Sequence, residues 1–107
     1  MSGLKTVDWD YETIAASQTA QVMGPGTLTT KSPGSQYLSH LIIVPATTSA
    51  GTVAIKDGGD SAINVFVSGT LPSTQSFVLP IRCVNKTGSW QVTTGAAVSV
   101  IAVGRFT

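Results

Sequence analysis

The most apolar stretch of the chain is the run YLSHLIIV at residues 37–44, in which apolar side chains occupy both sets of alternating positions. Such a run is typical of a β-strand that has a core on one face and a partner or a loop on the other. Turn signals recur about every 8 to 12 residues and no helical stripe is convincing, which predicts an all-β chain folded as a single antiparallel β-sandwich or small barrel. The later β-type runs are separated by glycine, proline and Ser/Thr clusters and cover residues 52–56, 61–67, 75–84, 89–94 and 96–107.

Strict alternation divides the side chains of the central run into two sets. One set is Leu38, His40, Ile42 and Val44, and the other is Tyr37, Ser39, Leu41 and Ile43. Because the second set also offers apolar surface, Tyr37 and Leu41 are candidates for contacts between copies of the chain. Arg82, in the run 75–84, is the third candidate for such an oligomer or edge contact.

Local signals define three other elements. The turn sequence at 57–60, Asp-Gly-Gly-Asp, predicts a β-hairpin over residues 52–67. Pro80 has no N–H to donate to a neighbour, so the run 75–84 is predicted to be an edge strand or to be bulged there. Alternation directs one set of side chains of these later runs inward: Phe77, Leu79, Ile81, Cys83, Trp90, Val92, Val98, Val100, Ala102 and Phe106.

Residues 1–36 hold little core-forming pattern, and they are predicted to form an N-terminal arm and connector that can contribute one strand, with residues 37–107 as the sandwich body. Within the arm, Thr13–Met23 favours a strand or an extended segment, since its apolar positions form no helical stripe. Aromatic side chains without a periodic apolar partner usually dock on another surface, either the flank of the same domain or a neighbouring subunit. The candidate contact residues of the arm are the aromatic Trp9 and Tyr11, together with the apolar Ile14.

Charge is scarce in this sequence. Charged residues make up 10% of the 107 positions and the net charge is +1, whereas soluble domains carry about 25%. A balance so close to neutral leaves no electrostatic footprint for nucleic acid or for an anionic membrane. Weak repulsion between molecules favours an oligomer or an assembly component, with a plain secreted β domain as the alternative.

The single cysteine, Cys83, excludes an intramolecular disulfide and is expected to be a buried, inert thiol. The first residues, MSGLKTVDWDYE, lack the apolar segment of a signal peptide, and no run has the length of a membrane span. The sequence therefore predicts synthesis in a cytoplasm, followed by a soluble state or incorporation into an assembly.

Candidate chemistry is sparse. His40 is the only histidine, and strict alternation would place Ser39 on the opposite side of the strand, where the two cannot act as a nucleophile and base. One cysteine and one histidine are too few for zinc. The two carboxylates of the 57–60 turn lack the alternating oxygen ligands of an EF-hand loop, so a hairpin turn is favoured over calcium binding. The sequence thus indicates a protein that is not an enzyme and predicts no cofactor and no metal.

The segments SHLIIVPATTSAGTVAIKDG, INVFV and TGSWQVTTGAAVSVIAVGRF, within residues 37–106, resemble small virion proteins of tailed bacteriophages, in particular capsid cement or decoration proteins. The resemblance lies in short strands rich in Ala, Thr, Gly and Val with few charges. It implies a jelly-roll-like sandwich that is made in the host cytoplasm and binds the exterior of an icosahedral head. Its partners would be the major capsid protein and further copies of itself, as a dimer or trimer.

Similar phrasing occurs in phage tail and fibre modules, which leaves a second expectation. A receptor- or glycan-binding module would present exposed aromatic side chains in loops, with Trp90 as the candidate. The alternation with Val92 favours a core position for that indole instead.

Overall fold

The computed structural model of the chain describes residues 10–24 and 34–106, and residues 1–9, 25–33 and 107 lie outside the described part. Strands account for all of its regular secondary structure, and the described residues contain no helix. The eight strands are β1 (Asp10–Ile14), β2 (Gln21–Val22), β3 (Gln36–Pro45), β4 (Val53–Asp57), β5 (Ile63–Phe66), β6 (Phe77–Val84), β7 (Trp90–Thr94) and β8 (Val98–Phe106).

These strands form two antiparallel sheets of four strands each. Sheet A has the order β1-β8-β3-β6 and sheet B has the order β2-β7-β4-β5. The all-β antiparallel sandwich predicted from the sequence is therefore confirmed. Every connection except β4 to β5 joins a strand of one sheet to a strand of the other.

The pairing follows a simple rule. β1 pairs with β8, β2 with β7, β3 with β6 and β4 with β5, and further pairs join β3 to β8 and β4 to β7. The chain is thus a long antiparallel ribbon in which β1 to β4 pair in reverse order with β5 to β8. The ribbon is folded over onto itself. This arrangement places β1 and β2 together at one side of the sandwich and β5 and β6 at the other.

The core lies between the inner faces of the two sheets. The predicted inward set of β8 is buried, as are Trp90 and Val92 of β7. Ile14 and Met23 are fully buried on the side of β1 and β2. On the side of β5 and β6, the rings of Phe66 and Phe77 meet with centroids 5.7 Å apart and pack against the core. Apolar burial thus continues from one side of the sandwich to the other.

The predicted hairpin is confirmed, with β4 and β5 paired antiparallel and Ile55 opposite Ile63. A bulge between Val53 and Ala54 shifts the register. As a result Phe66 comes opposite Val53 and packs against the core.

A second bulge, in β3 between Leu38 and His40, corrects the predicted division of the central run. The extra residue reverses the alternation, so Leu38, Leu41 and Ile43 all point into the core. The prediction that Leu41 contacts another copy is therefore wrong, because its side chain is fully buried within the chain. Gly104 of β8 lies opposite this bulge, where a Cβ atom would overlap the carbonyl oxygen of Tyr37.

β6 is an edge strand, as Pro80 predicted. Its inward set, however, stops at Ile81. Arg82 adopts a left-handed backbone conformation with φ of 59°, which interrupts the alternation. Cys83 lies opposite Leu38 but is exposed, as are all of the last three residues of β6, and the prediction of a buried thiol is wrong.

Residues 10–24 of the predicted arm belong to the sandwich, since β1 extends sheet A and β2 extends sheet B. The corner between them is tied down by Thr94, whose Oγ1 donates a 2.6 Å hydrogen bond to the carbonyl of Ala15. Ile14 is fully buried, so its prediction as a contact residue is also wrong. Trp9 lies outside the described residues.

Candidate interaction surface

The outward-facing side of sheet A is the most distinctive surface of the described chain. We call it the A face. Register places one outward row on each strand, because residues opposite each other in an antiparallel pair point to the same side. The A face consists of Tyr11 and Thr13 on β1, Ser99, Ile101, Val103 and Arg105 on β8, Tyr37, His40, Ile42 and Val44 on β3, and Val78, Pro80 and Val84 on β6.

The centre of the A face is apolar. Ile42 of β3 lies between Ile101 of β8 and Val78 of β6 in one cross-strand row. Val78 is 58% exposed and Val84 of the same strand is 49% exposed. β-branched side chains in such rows form a flat, continuous apolar surface.

Polar groups lie mainly toward the margins of the A face. Arg105 is exposed opposite Tyr37, near one end of β8. Tyr11, on the edge strand β1, is 74% exposed and is the most exposed large hydrophobic residue of the described chain. Among the described residues, no carboxylate is a member of the A face, and its fixed charges are Arg105 and, beside it on β6, the exposed Arg82.

The opposite surface, the outward-facing side of sheet B, carries more polar side chains, although Gln91 and Ala54 at its centre are buried, and we call it the B face. Lys56 of β4 lies opposite Gln91 of β7, and Thr93 of β7 lies opposite Ala54. Asn64 of β5 is exposed at the edge of the same face. The two faces of one sandwich therefore differ in chemistry, although both are built from four antiparallel strands.

His40 lies near the middle of the A face, between Val103 and Pro80. The β3 bulge brings the Oγ of Ser39 to 3.0 Å from its Nδ1, which corrects the prediction that the two side chains lie on opposite sides of the strand. Ser39 is almost fully buried. The hydrogen bond gives the histidine ring an intramolecular partner and holds it in place on the A face.

A polar lock holds one end of sheet B. Asp57, at the end of β4, accepts backbone N–H bonds from Lys86 at 2.7 Å, Thr87 at 3.0 Å and Gly88 at 3.1 Å. Burial opposes its ionisation, but these donors and the Lys86 ammonium outweigh it, so the pKa of the Asp57 carboxyl lies below its usual value. The adjacent Gly58 has φ of +58° and lies so close to Gly88 that a Cβ atom would approach the Gly88 nitrogen to 2.6 Å.

The Asp57 lock explains the DGGD turn as structure. Asp60 of the same turn accepts a 2.9 Å bond from the Thr87 hydroxyl. Both carboxylates therefore bind the facing turn at 86–88. Among residues 10–24 and 34–106, no group of three His, Cys, Asp or Glu side chains could hold a metal ion.

A buried polar link joins the two sheets at the same end of the molecule. Gln36 is fully buried, and its Oε1 accepts the backbone N–H of Trp90 at 2.8 Å while its Nε2 donates to the carbonyl of Met23 at 3.1 Å. Its own N–H donates to Oδ1 of Asn85 at 2.9 Å. Neither residue stood out in the sequence, because a buried amide cannot be told from an exposed one by its pattern. Their role is to satisfy backbone groups where strands of different sheets meet.

The predicted contact residues are distributed as follows. Tyr11 and Tyr37 share the A face, with β8 between them. Arg82 is exposed on the edge strand β6. Trp90, the candidate for glycan stacking, is only 5% exposed and belongs to the core.

Across the part of the chain that the structure describes, no helix has the length and apolarity needed to cross a membrane. Comparison with known proteins adds no relative: no family model, no curated protein and no solved structure matches this chain.

Proposed function

We propose that this chain is a structural virion protein that binds the outside of an icosahedral phage head and stabilises it by bridging major capsid subunits. The observation that carries the proposal is the A face, a largely apolar surface with few charges on a protein that is poor in charge throughout. Folding requires an apolar inner face only. A second apolar face on the same sheet is what an assembly component needs, because it gains free energy when a partner covers it.

The topology supports the same assignment. An antiparallel ribbon folded over so that β1 pairs with β8 and β4 with β5 resembles the winding of a jelly roll, which supports the jelly-roll-like sandwich that the proposal expects. Jelly rolls recur among viral capsid and lectin domains. The fold alone does not determine function, so this support is an analogy that adds to the A face.

The proposed mechanism is adhesive and non-enzymatic. Tyr11 projects from the edge strand at the margin of the A face. Among the described residues, it is the candidate anchor for a capsid subunit. Aromatic side chains serve well as anchors because they bury a large area for little loss of rotamer freedom. Many copies on one shell multiply a modest contact into tight overall binding.

The alternative, a receptor- or glycan-binding module of a phage tail, loses its candidate residue. Such modules stack a sugar on an exposed aromatic ring, whereas the Trp90 indole is buried against the core. The exposed aromatic of the described chain, Tyr11, lies on a strand.

Co-sedimentation of the purified chain with undecorated, expanded heads of the phage that encodes it tests the proposal. Saturable binding at a fixed copy number per head supports the cement role, and the copy number identifies the symmetry site. Recovery of the chain in the supernatant at every concentration, or its presence on tails alone, would contradict the role.

A further inference from the structure

We propose that the A face packs against the A face of a second copy of this chain, forming a two-fold symmetric dimer through the outer side of sheet A. This inference rests on the proposed assembly role and deepens it, since it names the occupant of the A face around the central strands β3 and β8, while Tyr11 at the β1 margin stays outside the contact and available to a capsid subunit. In such an interface the same patch on each copy contacts the other, so that each outward row of β3 and β8 meets its own equivalent.

The shape of the A face fits sheet-on-sheet packing. Two flat sheets pack face to face about 10 Å apart with their strands aligned to within about 30°. Four strands over about eight residues span a patch of roughly 19 by 26 Å, or on the order of 500 Å² in projection. Stable interfaces bury about 800 Å² per partner, and the accessible area of interlocking side chains exceeds its projection. The patch is therefore of the size that a modest dimer needs.

The charge pattern favours a second copy over an unrelated surface. The fixed charges on or beside the A face are Arg105, near one end of β8, and the exposed Arg82 of β6, and both lie away from the row that contains Ile42 and Ile101. A two-fold axis that runs along that row, in the plane of the interface, sends the Arg105 side chains of the two copies to opposite ends. Both side chains remain solvated there. An unrelated partner that is recognised by charge would need a fuller pattern of charges on this chain. Acidic groups on the A face or around Arg105 would then specify the partner's orientation.

One of the two ring nitrogens of His40, the polar group near the centre, is already paired within its own chain. Desolvating an unpartnered polar atom is costly, but the Nδ1 of His40 is hydrogen-bonded to Ser39 within its own chain. On either side of His40, Val103 and Pro80 offer only apolar side-chain atoms. Another apolar sheet can therefore cover the surface around the proposed axis while Nδ1 keeps its hydrogen bond to Ser39.

Sedimentation velocity of the full chain over a wide concentration range tests the dimer. The variants are Ile101→Lys in the central row and Val78→Lys on the more exposed edge strand, with Asn64→Lys on the B face as the control that adds the same charge. We expect a concentration-dependent dimer whose dissociation constant rises about a hundredfold or more with Ile101→Lys and about tenfold with Val78→Lys. Asn64→Lys should leave it unchanged. Circular dichroism and thermal unfolding verify that each variant is folded, and Val78→Lys keeps the test valid if Ile101→Lys does not fold.

The outcomes separate the two proposals when the same samples are tested for head binding. A dimer broken by these variants, without any binding to heads, supports the dimer and contradicts the cement role. A wild-type chain that stays monomeric at all concentrations but binds heads overturns the dimer and leaves the cement role in place. An oligomer that is insensitive to both A-face variants also overturns the dimer proposed here.

Discussion

The A face and the B face are built in the same way but differ in what they present to solvent. Each has two central strands flanked by two edge strands. On the A face, Ile42 and Ile101 lie opposite each other in the central pair. At the equivalent central pair of the B face, Lys56 lies opposite Gln91. Since both inner faces bury a shared core, the folding of the chain accounts for the inner rows of both sheets and for neither outer row.

This difference teaches that the outer row of sheet A reflects something other than folding. An antiparallel sheet with one solvated face normally alternates apolar and polar residues, as β4 and β7 do. Exposed β-branched residues in a continuous patch promote association. The sandwich therefore has a more apolar outer side and a more polar one whose central Gln91 and Ala54 are themselves buried, and its charge-poor composition does not oppose contact by repulsion.

The largest expected effect comes from comparing the inner and outer sides of one strand, β3. Two neighbouring residues that point in opposite directions are truncated. Leu41→Ala removes a fully buried side chain and should lower the free energy of unfolding by about 2–5 kcal/mol. Ile42→Ala, on the A face, should lower it by only about 1 kcal/mol in the monomer while weakening association. Urea unfolding at a concentration where the chain is monomeric measures the first effect. Equal losses for the two variants would contradict the division of β3 into an inner and an outer row.

A second experiment tests the Asp57 lock, which lies at one end of sheet B, by varying the pH. Because the folded pKa of Asp57 lies below its unfolded value, the carboxylate stabilises the fold above about pH 4 and this contribution is lost as the pH falls through the folded pKa. Asp57→Asn should cost about 1–3 kcal/mol at neutral pH, and its difference from wild type should shrink toward zero in acid. Denaturant unfolding of both proteins from neutral to strongly acidic pH provides the measurement. A difference that stays constant with pH would show that the backbone donors at 86–88 do not depend on the charge.

The smallest expected effect concerns the margin of the A face. Tyr11→Ser removes a ring that is 74% exposed, so the free energy of unfolding should change by less than about 0.5 kcal/mol. Binding to heads should weaken about tenfold per site if the ring anchors a capsid subunit. Thr13→Ala, on the same row of β1, is the matched control. This substitution is more informative than deleting residues 1–12, since that deletion would remove half of β1 from sheet A. Unaltered head binding by Tyr11→Ser would remove this residue from the mechanism.

Alternation predicted the regular strands well. Hydrophobic period two identified the inward set of β8, the core position of Trp90 and the β4–β5 hairpin, because those elements follow a period of two from end to end or are joined by strong turn residues. Counting by two fails wherever an extra residue or a left-handed residue enters a strand. The β3 bulge is such a place and accounts for the wrong placement of Leu41. Cys83 was misplaced for another reason, because the last three residues of the edge strand β6 are all exposed. Gly104 opposite the bulge was the available signal.

The rest of the site depends on contacts distant in sequence. β1 and β2 contribute few apolar residues, so their place in the sheets comes from pairing with β8 and β7 at the far end of the chain. The link between Gln36 and Asn85 and the lock between Asp57 and residues 86–88 likewise join segments that local patterns treat separately. The A face itself was partly visible, since the central run was apolar on both sides, but its extent required the register of four strands.

The most direct test of the difference between the faces is the accessibility of one thiol on each. In a Cys83→Ser background, single-cysteine variants Ile101→Cys on the A face and Lys56→Cys on the B face would be labelled with a maleimide while the chain concentration is raised. The account predicts that labelling at position 101 slows about tenfold or more as association proceeds, while labelling at position 56 keeps its rate. Equal rates at both positions over the whole concentration range, in a chain that sedimentation shows to be associated, would contradict it.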